Sequence, residues 1–168
     1  MRRLLKITNK NQAGLSMVEL VMAMGVSAII VSGSTATIYQ VFMNNAQNTA
    51  HMTAVKQVEN ALHFMVRDIQ MSQNIQTDNL TGDEILKLGW IDWDNTTYQV
   101  IYSLTNGELF RNYSLGGQTT VSRYIATLDV SPKPYGNGKV TVSISVTIGG
   151  ARPASEAREV EILPRSNS

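Results

Sequence analysis

The stretch 14–42 constrains this chain more than any other. It opens Gly14-Leu15-Ser16-Met17-Val18-Glu19-Leu20 and continues as an apolar run, with no Asp, Glu, Lys or Arg between Glu19 and Lys56. Arg2, Arg3, Lys6 and Lys10 precede it, and no acidic residue does. About 20 apolar residues cross a bilayer, and Leu20–Val41 is long enough. The basic leader keeps the N-terminus cytoplasmic and sends the rest across. A carboxylate held charged at the bilayer centre costs ~2.5–3.5 kcal/mol, so Glu19 at the start of the run calls for a compensating partner.

An ordinary secretory signal does not fit. The apolar run is roughly 28 residues long, where such a signal has about 7–15. The small residue that marks a cut, Gly14, stands before the run and not after it. The remaining simple account is a signal anchor.

Charge and cysteine narrow the rest. The formal net charge is +1, but four of the fourteen Lys and Arg lie in the leader. The remainder carries ten basic and thirteen acidic residues, a net of −3. No clustered basic face is available for nucleic acid, and direct nucleic-acid binding is not expected. With no cysteine there is neither a disulfide framework nor a thiolate metal site.

The first 14 residues read as a leader, 15–43 as the membrane half of a helix, and 44–168 as an exported domain. No proline interrupts the chain before Pro132. Val55, Val58, Leu62, Met65 and Ile69 follow a 3-4-3-4 spacing that places them on one helical face. A helix over Leu15–Gln76 would hold roughly 62 residues and extend ~93 Å at 1.5 Å per residue. Its weakest part is Ser32-Gly33-Ser34-Thr35 with Thr37, where propensity is low and Gly33 alone costs about 1 kcal/mol against alanine. Asp78-Asn79 and Thr81-Gly82-Asp83 form the stop and turn.

From there the period changes to two. Strands are expected at Ile85–Trp90, Thr97–Leu104, Glu108–Ser114, Thr120–Val130 and Lys139–Ile148, with an edge strand at Glu159–Leu163. Thr105-Asn106-Gly107 is a hairpin turn because Asn-Gly tolerates positive φ. Pro132, Pro134 and Gly136-Asn137-Gly138 form a connecting loop. Val140, Val142, Ile144, Val146 and Ile148 point one way and Thr141, Ser143, Ser145 and Thr147 the other, the pattern of a sheet with one buried face. The expected fold class is α+β: one long N-terminal helix whose outer half packs on a C-terminal antiparallel β-sheet.

Taken together, the basic leader, Gly14, the large apolar Leu15, Glu19 as the fifth residue after the glycine, and the apolar helix resemble the type IV prepilin signal. Leucine replaces the commoner phenylalanine after the cut. The C-terminal part is similar to J-type minor pseudopilins and W-type minor pilins through Arg67-Asp68-Ile69, through Tyr102, Asn106-Gly107, Leu109 and Arg111, and through Pro164-Arg165. Ala36 stands where many major pilins carry a helix-kinking proline.

The resemblance implies a pilin-like fold and a life as a filament subunit. A membrane prepilin peptidase would cut between Gly14 and Leu15 and methylate the new Leu15 amine. Glycine lets that enzyme approach the backbone closely. Glu19 would then offset the Leu15 amine, on its own chain or on a neighbouring subunit, and so set the axial register of filament assembly. Its presence suggests a position with a subunit above it. The implied partners are the peptidase, other major and minor pilins or pseudopilins, and the inner membrane, with the C-terminal domain outside the cytoplasm. The subunit would be no enzyme and would carry no cofactor.

The remaining polar residues offer no competing chemistry. His51 and His63 are twelve apart and lack the i, i+4 spacing of a helical metal pair. Asp92, Asp94 and Asn95 open like a calcium loop, but Thr97 occupies the required glycine position and Ser103 the position of the bidentate glutamate. Turn chemistry is the better account. The rival function is a membrane-anchored exported binding or enzymatic domain. It needs convergent polar groups around a nucleophile or metal, and the sequence supplies no such set.

Overall fold

The computed structural model describes residues 14, 16–78, 80–132, 138–150 and 152–165. The leader up to residue 13, Leu15, Asn79, Pro134 and Gly136-Asn137 lie outside them. The chain divides into two compact units, Met1–Met43 and Asn44–Ser168. One helix, α1 (Met17–Met71), contributes to both.

Eight strands follow: β1 (Asn74–Gln76), β2 (Glu84–Ile91), β3 (Thr97–Thr105), β4 (Glu108–Tyr113), β5 (Gly117–Ser122), β6 (Ile125–Pro132), β7 (Val140–Ile148) and β8 (Ala154–Ile162). They form two antiparallel sheets, one in the order β1-β2-β3-β4-β5 and one in the order β6-β7-β8. The architecture is α+β, a long N-terminal helix packed on C-terminal antiparallel sheets.

Several boundaries differ from the sequence expectation. The helix ends at Met71, not Gln76. The Ser72 amide donates to the Asp68 and Ile69 carbonyls at 3.1 and 3.2 Å, and its hydroxyl donates to Ile69 O at 2.7 Å. These bonds satisfy carbonyls that a helix end leaves open. The chain then joins the sheet edge. Gln73 N donates to Gly89 O at 2.9 Å, and β1 pairs with β2.

The expected strand Thr120–Val130 is two strands in different sheets. The break is at Tyr124, whose φ of 62° lies in the left-handed region, unusual for a bulky residue. The turn is held from both sides: Ile125 N donates to Gly107 O at 2.9 Å and Thr147 N to Tyr124 O at 3.0 Å. This break turns the single expected sheet into two. The last strand also begins earlier, at Ala154, and pairs along its whole length with β7.

The core of the 44–168 unit lies between α1 and the inner faces of both sheets. Ala54, Val58, Ala61, Leu62, Met65 and Ile69 of α1 are buried with Leu86, Leu88, Val100, Leu109, Val121, Val142 and Val146. The buried stripe is centred slightly off the expected one, since Ala54 is inside while Val55 is only half-buried. The β3–β4 hairpin carries Asn106 and Gly107 at φ 52° and 76°, both positive as a type I′ turn requires. Glycine is needed there twice over, because a Cβ on Gly107 would stand 3.2 Å from Ile125 O.

One position expected on the solvated face of β7 is buried instead and works against stability. Thr141 in β7 is buried, and among the described residues its hydroxyl has no hydrogen-bond partner. Burying an unpaired hydroxyl is unfavourable. Thr141→Val keeps the β-branched shape and removes the hydroxyl. It is expected to stabilise the fold by about 1 kcal/mol, read as a rise in the urea midpoint at unchanged slope. A lower midpoint would sink this account.

Candidate functional site

Two groups of residues qualify: the start of α1 with its apolar run, and a polar cluster inside the 44–168 unit. At the start, Ser16 is the helix cap. Its hydroxyl accepts from Val18 N at 3.3 Å, and its carbonyl accepts the first helical bond from Leu20 N at 3.1 Å. The helix therefore begins at Met17, two residues later than the periodicity predicts. Ser16-Met17-Val18-Glu19 has the Ser-x-x-Glu spacing of a capping box, a signal legible in the sequence.

This cap puts Glu19 in the first turn, where the helix macrodipole favours a carboxylate. Gly14 and Glu19 are exposed, and among the described residues the Glu19 side chain has no hydrogen-bond or ion-pair partner. Leu15, expected as the cut and methylated residue, lies outside the described residues.

Beyond Glu19 the helix is long and apolar enough to cross a membrane, and among the described residues none of its most apolar stretch is buried. Val21, Ile29, Ile30, Val31 and Phe42 are all more than half exposed. Its serine and threonine hydroxyls are bonded within the helix. The hydroxyls of Ser27, Ser34, Thr35 and Thr37 donate to the carbonyls four residues earlier at 2.8–2.9 Å, and Ser32 donates to Ile29 O at 2.9 Å. In lipid an unpaired hydroxyl is expensive, so this back-bonding lets a serine- and threonine-bearing segment sit there. The low-propensity stretch Ser32–Thr37 stays helical throughout.

The second group centres on Asp68, a fully buried carboxylate on the core face of α1. Arg111 of β4 grips it in a fork, with Nε to Oδ2 at 2.6 Å and Nη2 to Oδ1 at 3.1 Å. The Tyr102 hydroxyl of β3 donates to Oδ2 at 2.6 Å. The guanidinium lies 5.1 Å from the Tyr113 ring centre and 5.9 Å from that of Phe64, within the range of a cation–π contact. Tyr113 is stacked with Tyr98 and Trp90. Sequence reading singled out Asp68, Tyr102 and Arg111 without a common role. The signal that links them is an aspartate on an apolar stripe, which obliges some distant cation to meet it.

The Asp68 hydrogen bond is the main reason the Arg111 guanidinium is held above its ordinary value. Burial first, then the Asp68 charge, pushes the Tyr102 phenol well above its usual range. The folded protein thus keeps the Tyr102 proton at pH values where the unfolded chain has lost it. Stability from this group is full below about pH 10 and declines as pH rises further. Between pH 9 and 11.5 the denaturation midpoint of the parent protein is expected to fall more steeply than that of Tyr102→Phe. Parallel curves would refute this.

Other expected candidates fall elsewhere. His51 and His63 are exposed, and His63 meets Phe64 edge-on at 5.6 Å. Asp92 and Asp94 serve the β2–β3 turn: Asp92 Oδ1 accepts from Trp93 N at 2.8 Å and Asp94 Oδ1 from Thr96 N at 2.9 Å. The bond from the Thr96 backbone holds the Asp94 carboxyl below its ordinary value. No family model, curated protein or solved structure matches the chain.

Proposed function

We propose that the chain is a minor pilin or pseudopilin subunit. It is made as a precursor, cut between Gly14 and Leu15 by a prepilin peptidase, methylated at Leu15 and held by one span in the inner membrane. From there it is drawn into a type IV pilus or a type II secretion pseudopilus, or it primes the assembly of one. The observation that carries this reading is the continuity of α1. It starts at a Ser16 cap just past the Gly14-Leu15 bond and runs uncovered and apolar through Phe42. It then becomes the core element of a small antiparallel domain.

A single helix of this kind suits both environments the subunit would meet. In lipid its hydroxyls are internally bonded and its side chains face acyl chains. In a filament the same surface packs on neighbouring helices. The 44–168 unit makes contacts with other subunits and performs no chemistry, so the reading needs no metal or cofactor. The Asn44–Ser168 unit stands outside the cytoplasm.

Mass spectrometry of the N-terminus after co-expression with a prepilin peptidase tests the reading. The expected product begins at Leu15 and carries one added methyl group. An intact precursor, or a cut after about residue 30 as for an ordinary signal peptide, would overturn it.

A further inference from the structure

The buried stripe of α1 is apolar apart from Asp68. Ala54, Val58, Ala61 and Met65 recur at a 4-3-4 spacing and meet apolar side chains of both sheets. Sliding the helix along its axis by one turn, about 5.4 Å, would bring Ala61 near the place of Val58 and Met65 near that of Ala61. Apolar surface would still meet apolar surface, so hydrophobic burial, which is non-directional, discriminates weakly between the two registers.

Asp68 does not tolerate that slide. Its fork with Arg111 and its bond to Tyr102 have narrow distances and directions, and one turn away the carboxylate would be buried without its guanidinium. The polar links at Gln57 in the middle of the helix are more permissive. Ser122 Oγ donates to its carbonyl at 2.9 Å, a group every helical residue carries, and the exposed bond from Arg123 N to its Oε1 at 2.8 Å ends on a flexible side chain. Polar groups in a core seldom add stability over apolar groups of similar volume, but in some systems they select one geometry.

We propose that Asp68, Arg111 and Tyr102 form a register lock that fixes the axial position of α1 on the five-stranded sheet. The outward residues of the helix, Lys56, His63 and Arg67 among them, then stand in one fixed relation to the strands and turns of that sheet. A partner that touches both reads a single composite surface. The lock depends only on the geometry of the 44–168 unit and holds whether or not the chain is a filament subunit.

The chain has no cysteine, so spin labels can be placed cleanly at Lys56→Cys and Asn112→Cys, both exposed. In the otherwise unchanged full chain, pulsed dipolar spectroscopy is expected to give one narrow distance. The triple variant Asp68→Leu, Tyr102→Phe, Arg111→Met is expected to fold with an undiminished denaturation midpoint. It should nevertheless show a second distance population, displaced by several ångströms. Tyr102→Phe alone keeps the ion pair and should keep the single distance. One narrow distance in the triple variant would show that packing sets the register. Failure of the triple variant to fold would show that the cluster supplies stability and not register. Either result overturns the proposal.

Discussion

Arg111→Met is expected to destabilise the protein by about 3–5 kcal/mol, the loss typical of removing one partner of a buried ion pair. The reason is the group left behind. Asp68 is fully buried, and without the guanidinium its charge would keep one close donor, the Tyr102 hydroxyl at 2.6 Å. The neighbouring Arg67 stands 3.7 Å away and is half exposed, too solvated to take over. A denaturant titration of the full chain in detergent measures the loss. Adding Asp68→Leu to Arg111→Met should recover most of it, because the uncompensated charge disappears. A loss under about 1 kcal/mol, the scale of an exposed ion pair, would mean that the pair is not desolvated. Failure of the second substitution to rescue would mean that the cost lies in packing around Phe64 and Tyr113.

In the filament role proposed above, Glu19→Ala is expected to leave cleavage at Gly14-Leu15 intact while lowering incorporation into filaments at least about tenfold. Two effects converge on this carboxylate, and their sizes separate them. As a first-turn residue it gains about 0.3–1 kcal/mol from the helix dipole, which would change incorporation only severalfold. As the partner of the Leu15 amine in a low-dielectric filament core, its removal would leave a buried charge unpaired, a loss of about 3–5 kcal/mol. Quantifying subunit in sheared filaments against total processed subunit distinguishes the two. Normal incorporation would remove the pairing argument. Lost cleavage would instead place Glu19 in peptidase recognition.

Much of the fold is legible along the chain because it is written in local patterns. The absence of charge from Leu20 to Val55 announces the uncovered half of α1. Period-two alternation in Val140–Ile148 announces a half-buried strand, and Asn106-Gly107 announces the β3–β4 turn because few other pairs accept positive φ twice. Where the reading missed, distant groups took part. The helix stops at Met71 where Ser72 bonds the Asp68 and Ile69 carbonyls, and the chain beyond it joins the sheet edge that Gly89 and Lys87 offer to Asn74–Gln76. Nothing in Arg123-Tyr124 resembles a turn. Tyr124 is held at positive φ by bonds to the chain around Gly107 and Thr147, and that bend divides the strands between two sheets.

The same division applies to the candidate sites. Sequence alone determined the apolar helix and the Gly14, Leu15 and Glu19 pattern, since each depends on residues within one or two turns; the Ser16 cap, although local, was found in the structure. Asp68 entered the sequence reading only through a resemblance, and its burial on the core face is a structural finding. Only the tertiary structure decided what compensates it. Arg111 is 43 positions away and Tyr102 34, and periodicity carries no information about which strand comes to lie beside which turn of the helix. That choice is made by strand order and by the bend at Tyr124, and it converts a costly buried charge into the most specific contact between α1 and the five-stranded sheet.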